Sequence, residues 1–169
     1  FHLPANEIDI QMGTLGKAIG SFGAYIAGSK ELINYLINRA RSFIYTTALP
    51  PSVLAASLAA IEIIQSKPDL RKKLWRNVAY FKKGLQKAGF KNIDSQSQIV
   101  PVMIGNSKKV VMAGEYLFKK GIFVVGIRPP AVPRKKERLR VTVMASHTNR
   151  DLDYAIGIMG EMKKALLVS

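Results

Sequence analysis

Over residues 68–87 the apolar side chains Leu70, Leu74, Val78, Phe81 and Leu85 recur every three or four positions. Arg71, Lys72, Lys73, Arg76, Lys82, Lys83 and Lys87 fill the rest against one acid, Asp69. This spacing predicts an amphipathic helix with a basic outer face. Upstream, Leu32, Ile33, Leu36 and Ile37 share one face of a helix predicted over residues 29–41, with Ser29 as its cap. Pro51 opens an Ala-rich helix predicted to run to Ser66, where Lys67-Pro68 breaks it. Short strands are predicted at residues 8–12 and 25–27, and a loop, SFIYTTALPP, precedes Pro51.

Beyond the basic helix, which Gly89 is placed to close, the texture changes to alternating strands and helices. Strands are predicted at residues 99–104, 122–127 and 139–145, with a helix at 107–120. Thr148 and Asp151 have the spacing of a capping box opening a last helix that runs to about Leu166. The organisation expected is a Gly/Ala-rich first part, residues 1–66, and a compact α/β part, residues 67–169. Neither an internal repeat nor a low-complexity segment occurs.

Composition narrows the function. The 169 residues include no cysteine, which excludes a disulfide scaffold, a thiol nucleophile and a Cys-ligated zinc site. It also fits a reducing cytoplasm. His2 and His147 are too few and too far apart in sequence for a His-rich metal site, so no metal is expected. The 26 Lys and Arg outweigh 11 Asp and Glu, a net charge of +15 that raises the question of nucleic acid. Against that reading, the chain has no helix-turn-helix spacing, zinc finger or RNP-type aromatic strand motif. Residues 10–29 hold a single charge, Lys17, yet their five glycines and several polar residues argue against a membrane span. The first ten residues lack a signal-peptide pattern. The chain starts at Phe1 and is read as a piece of a longer protein.

Lys17 sits in GTLGKAIG. A phosphate-binding P-loop would need glycine at position 11 and Ser or Thr at position 18, where Gln11 and Ala18 stand; the GxGxxG spacing fails too. What remains is an amine in small, apolar surroundings, where desolvation disfavours the charged form and suits a Schiff-base lysine. Thr14 could place a hydroxyl on a phosphate beside it. A lysine snorkelling from a loop is the plain alternative.

The segment DIQMGTLGKAIGSFGAYIAGS resembles the cofactor-lysine segment of the α-oxoamine synthases, fold-type I pyridoxal-phosphate enzymes. RSFIYTTALPP and IRPPAVPRKKERLRVTVMASHT resemble the next two signatures of that family, in the family's order. The resemblance implies an α/β fold: the C-terminal part of a fold-type I transferase, with the end of the large domain and the whole small domain. It implies pyridoxal 5'-phosphate as cofactor, with Lys17 as the lysine that carries it and Thr14 on its phosphate. Thr46 and Thr47 match hydroxyls that reach the phosphate of the neighbouring subunit's cofactor, which implies a homodimer with shared active sites. Arg140 matches the arginine that holds the amino-acid carboxylate, and Arg128 lies where the family lines the acyl-thioester entrance. By residue pattern alone, Arg138 and Arg140 alternate with Leu139 and Val141 and could simply face solvent. His147 is read as structural, helping the turn before the last helix.

Within the family, the Ile-Arg-Pro-Pro sequence at 127–130 points to the biotin-pathway member. That member condenses L-alanine with a pimeloyl thioester, carried on coenzyme A or on an acyl carrier protein. Alternatives are glycine-using members, of the glycine C-acetyltransferase or 5-aminolevulinate synthase type. The loop departs from the family at Ala131, where many members have threonine. Arg134, Lys135 and Lys136 are candidates for meeting an anionic thioester carrier. The aspartate that pairs with the pyridine nitrogen, the histidine that stacks on the ring and a phosphate-binding serine are all missing, so these 169 residues alone are expected to be inactive. A rival from another class is a basic nucleic-acid-binding module, in which Lys17 would be dispensable and affinity steeply salt-dependent.

Overall fold

The computed structural model describes Pro4 and residues 7–167; His2 lies outside the described residues. The chain divides into two units, Phe1–Lys67 and Pro68–Ser169.

The first unit begins with a hairpin of β1 (Ile10–Thr14) and β2 (Ala24–Gly28), paired antiparallel with Met12 opposite Ile26. Both strands sit one or two residues away from their expected bounds. Ser29 caps α1 (Lys30–Arg39), its hydroxyl accepting from the Leu32 amide at 3.2 Å. The helix stops short of Arg41 because Ala40 is extended (ψ 99°), and a second short helix, α2 (Arg41–Ile44), occupies the start of the expected loop. Nothing in the local sequence marks that break. α3 (Pro51–Ser66) has the predicted bounds, with proline at its first position where no amide donor is needed.

The second unit opens with α4 (Pro68–Lys87), which buries Val78, Phe81 and Leu85 and also Asn77. Gly89 adopts φ +81° past the helix end. Its amide donates to Gln86 O at 2.9 Å, and the Phe90 amide donates to Leu85 O at 3.0 Å, the double bond pattern that closes a helix around a left-handed residue. Then follow β3 (Ile99–Met103), α5 (Ser107–Lys119), β4 (Val125–Ile127), β5 (Arg138–Thr142) and α6 (Asn149–Leu166). The sheet order is β3-β5-β4, and β5 runs antiparallel to both neighbours. β3 and β4 are therefore parallel to each other, with α5 as the crossover that parallel strands require.

β4 is half the expected length for a physical reason. Gly121 (φ +75°) donates to Phe118 O and Ile122 donates to Leu117 O, closing α5 as Gly89 closes α4. Ile122 and Val124 then pack against the core instead of joining the ladder. β5 also ends early, because the chain turns at Met144–His147, where the His147 amide donates to Met144 O.

Val100 and Val102 of β3 and Leu139 and Val141 of β5 face inward onto α4, α5 and α6, whose Phe81, Leu117, Met159 and Met162 are almost wholly buried. Each such side chain is worth roughly 1.5–3 kcal/mol in burial. Gly84 lies under Ile156 of α6, and a side chain there would collide with it; the close approach explains a glycine in mid-helix.

Candidate active site

The loop joining β1 to β2 carries Lys17 at its tip. Leu15, the buried apolar anchor of the loop, donates to Gly23 O at 2.9 Å, and Ser21 donates its amide to Leu15 O at 2.9 Å. The turn inside is closed by the Gly20 amide on Lys17 O at 3.0 Å, with Gly20 at φ +67°. A second tie reaches α3: the Ser21 hydroxyl donates to Val53 O at 3.0 Å and accepts from the Ser57 hydroxyl at 2.8 Å. The Leu49 side chain lies 2.9 Å from where a Cβ on Gly23 would sit, so the segment holding Thr46 and Thr47 runs past the base of the lysine loop.

Lys17 itself is exposed, and its amine has no hydrogen-bond or ion-pair partner among the described residues. The expectation of a desolvated amine is thus corrected: within this chain the small neighbours leave it in solvent. Thr14 ends β1; its hydroxyl accepts from the Gly16 amide at 3.3 Å and donates to Gly23 O at 3.4 Å. The Leu15 and Gly16 amides between Thr14 and Lys17 are taken up within the loop, so what this chain offers a group bearing an aldehyde and a phosphate is a free amine and, three residues earlier, a hydroxyl held only by long bonds. Thr46 and Thr47 are exposed.

The second unit carries the two arginines. Arg140 is exposed on the outer face of β5, opposite Pro101 of β3 and Val125 of β4, while Leu139 and Val141 point into the core. It borders a cleft of about 760 Å³ that Phe123, Met144, His147 and Arg150 also line. Arg128 is exposed one residue beyond β4 and starts a turn, its carbonyl accepting from the Ala131 amide at 3.0 Å, around the cis Pro129–Pro130 bond. It stands three residues along the strand from the Val125–Arg140 pair, a step of about 10 Å. The fold therefore sets these arginines at different points rather than side by side.

His147 holds the turn before α6: its Nδ1 accepts from the Met144 amide at 3.2 Å. Asn77 was not singled out by the sequence. Its amide nitrogen donates to Met144 O and His147 O, both at 3.0 Å, and fastens α4 to that same turn. The available signal was a polar residue within the apolar stripe of a strongly amphipathic helix. Thr148 and Asp151 form the capping box of α6, in which the Thr148 amide and hydroxyl both donate to Asp151 Oδ2 at 2.8 Å. These bonds, the backbone one first, hold the Asp151 carboxyl below the usual carboxylate range.

A lysine loop in the first unit and a three-stranded antiparallel sheet with flanking helices in the second are features of a known class. The chain belongs to the aminotransferase class I and II family, whose sequence profile matches residues 3–158. Its relatives include an 8-amino-7-oxononanoate synthase of Geotalea daltonii, 51% identical over 97% of this chain and 42% of that protein. A structure of SPT (serine palmitoyltransferase) with a PLP internal aldimine superposes with a TM-score of 0.90 at 28% identity, over 95% of this chain and 41% of that one. The 8-amino-7-oxononanoate synthase of Francisella tularensis superposes with a TM-score of 0.80 at 28% identity, over 94% of this chain and 47% of that one. The chain spans about two fifths of the length of the curated relatives it matches.

Proposed function

We propose that this chain forms the C-terminal portion of a pyridoxal-phosphate-dependent synthase that condenses L-alanine with a pimeloyl thioester. The products are 8-amino-7-oxononanoate, carbon dioxide and the free thiol carrier. The observation that carries this reading is Lys17, held at the tip of a stapled hairpin loop with Thr14 at its base, in a chain about half identical to proteins of that name. The SPT superposition is closer than that of the Francisella synthase, both at 28% identity, but the Geotalea synthase is 51% identical.

Pyridoxal phosphate, when bound, supplies the electron sink for a carbanion at the amino-acid Cα. Lys17 Nζ would be the amine that holds the cofactor and, as a free amine, would move the proton at the substrate Cα. The Thr14 hydroxyl binds the phosphate, and Thr46 and Thr47 bind the phosphate of the neighbouring subunit's cofactor in a homodimer. Arg140 pairs with the alanine carboxylate in the two-bond geometry a guanidinium offers, fixing which Cα bond faces the base. Arg128 meets the acyl thioester, and Arg134, Lys135 and Lys136 meet its anionic carrier, coenzyme A or an acyl carrier protein. The relatives' names, those of a biosynthetic synthase, support a cytoplasmic setting. No helix among the described residues is long and apolar enough to cross a membrane.

Borohydride reduction of the full-length protein, followed by peptide mapping, tests the reading. A phosphopyridoxyl group is expected on Lys17, absent in Lys17→Ala, and product is expected with alanine and not with glycine. An unmodified Lys17 in cofactor-treated full-length protein would remove the enzyme reading, and product from glycine would move the chain to another member of the family. The 169 residues on their own are expected to make no product.

A further inference from the structure

Glu137 is 95% buried by its 5% residual exposure, yet it belongs to the most basic stretch of the chain, Arg134-Lys135-Lys136-Glu137-Arg138. One carboxylate oxygen accepts from the Ser107 hydroxyl at 3.2 Å, and the other has no hydrogen-bond partner among the described residues. The backbone carbonyl of the same residue accepts from both the Ile104 and the Gly105 amides, each at 2.9 Å. Glu137 thus ties the loop between β4 and β5 to the corner where β3 ends and α5 begins. Around it the loop is internally braced. The Lys136 amide donates to Pro133 O at 3.1 Å, Arg138 Nε donates to Lys136 O at 2.9 Å, and Lys135 sits at φ +64°.

A carboxyl buried with one oxygen unpartnered is costly unless its surroundings compensate. The surroundings here are positive. The carboxylate meets the first residue of α5, Ser107, in a helix that Asn106 caps and whose first turn continues with Lys108 and Lys109. Through its side chain and its backbone carbonyl, Glu137 fastens the stretch that carries Arg134, Lys135 and Lys136 to the residues just before that basic first turn.

We propose that Glu137 is a positioning residue that fixes this basic corner for the phosphates of the coenzyme A thioester. The inference rests on the synthase reading above. It adds Lys108 and Lys109 to the carrier surface and assigns Glu137 its role through the loop, without contact with substrate.

The test compares Glu137→Ala, Glu137→Gln and Ser107→Ala in the full-length protein. Trypsin, which cuts after Arg134, Lys135 and Lys136, reads loop order directly. Cleavage there is expected to speed up tenfold or more in Glu137→Ala, less in Ser107→Ala, and to return toward wild type in Glu137→Gln. In steady-state assays with pimeloyl-CoA, KM for the thioester is expected to rise fivefold or more in Glu137→Ala, with KM for alanine and kcat within twofold. Lys108→Ala/Lys109→Ala should raise the same KM without altering cleavage at the loop. Unchanged proteolysis in Glu137→Ala overturns the positioning role, as does a uniform loss of kcat and both KM values with melting temperature. Should the wild type fail to turn over a pimeloyl thioester, the synthase reading falls, while the proteolysis still decides what Glu137 does to the loop.

Discussion

Residues 68–169 bury seventeen apolar side chains in one cluster, whereas among the described residues of 1–67 Leu15 is the sole buried apolar side chain. Both units are built from well-capped or proline-bounded helices and paired strands, so local structure does not separate them. Partners do. In α4 the apolar stripe packs into the core of its own unit, with α6 alongside. In α3, Leu54, Leu58, Ile61, Ile63 and Ile64 occur on all sides and stay exposed. A helix apolar all round is the kind normally enclosed by protein. The unit that carries Lys17 therefore has the composition of an interior without the enclosure. The unit that carries Arg140 encloses itself.

The sharpest way to break this contrast is to divide the chain at Lys67/Pro68. Residues 68–169 alone are expected to melt cooperatively by circular dichroism, and residues 1–67 alone to show no cooperative transition. A sigmoidal melt from the first piece of chain would end the comparison. Next in size come single truncations. Phe81→Ala, at a wholly enclosed position, is expected to cost about 3–5 kcal/mol in urea unfolding of residues 68–169. Leu58→Ala, 63% exposed, should change the stability of the 169-residue chain by less than about 1 kcal/mol. Comparable losses would show that α3 is enclosed after all.

The smallest effect is in acid. Asp151 has its carboxyl held low by Thr148 in the folded state, so its contribution to stability is present above the ordinary carboxylate range. It is lost as pH falls through the depressed folded value. Asp151→Asn should flatten the fall of melting temperature below about pH 4 and leave the neutral-pH dependence unchanged. A mutant that follows the wild-type acid profile would mean that the capping box does not carry this charge coupling.

Much of the second unit was legible along the chain, for reasons that can be named. The three-to-four spacing from Leu70 to Leu85 is the signature of one buried helix face. Thr148 and Asp151 satisfy each other's backbone within one turn, and Gly89 takes the left-handed conformation other residues resist. The position of Lys17 on a loop was legible too, since glycines and small residues surround it. Its exposure was not, because the character of neighbours in sequence says little about what covers a loop tip. The same limit hid Asn77 and Glu137. Asn77 pairs with carbonyls almost seventy residues on, and Glu137 with a hydroxyl thirty residues back.

The amino-acid order by itself determined the longer helices apart from the break at Ala40, the caps at Ser29, Gly89 and Thr148, the lysine loop and the three motif segments that mark the family, since each depends on bonds and periodicities spanning a few residues. Tertiary structure alone decided two further things: that β5 lies between β3 and β4, and that a buried glutamate meets Ser107 at the start of α5. Strand order and the pairing of a buried charge are set by partners far along the chain. No local pattern encodes which partner arrives.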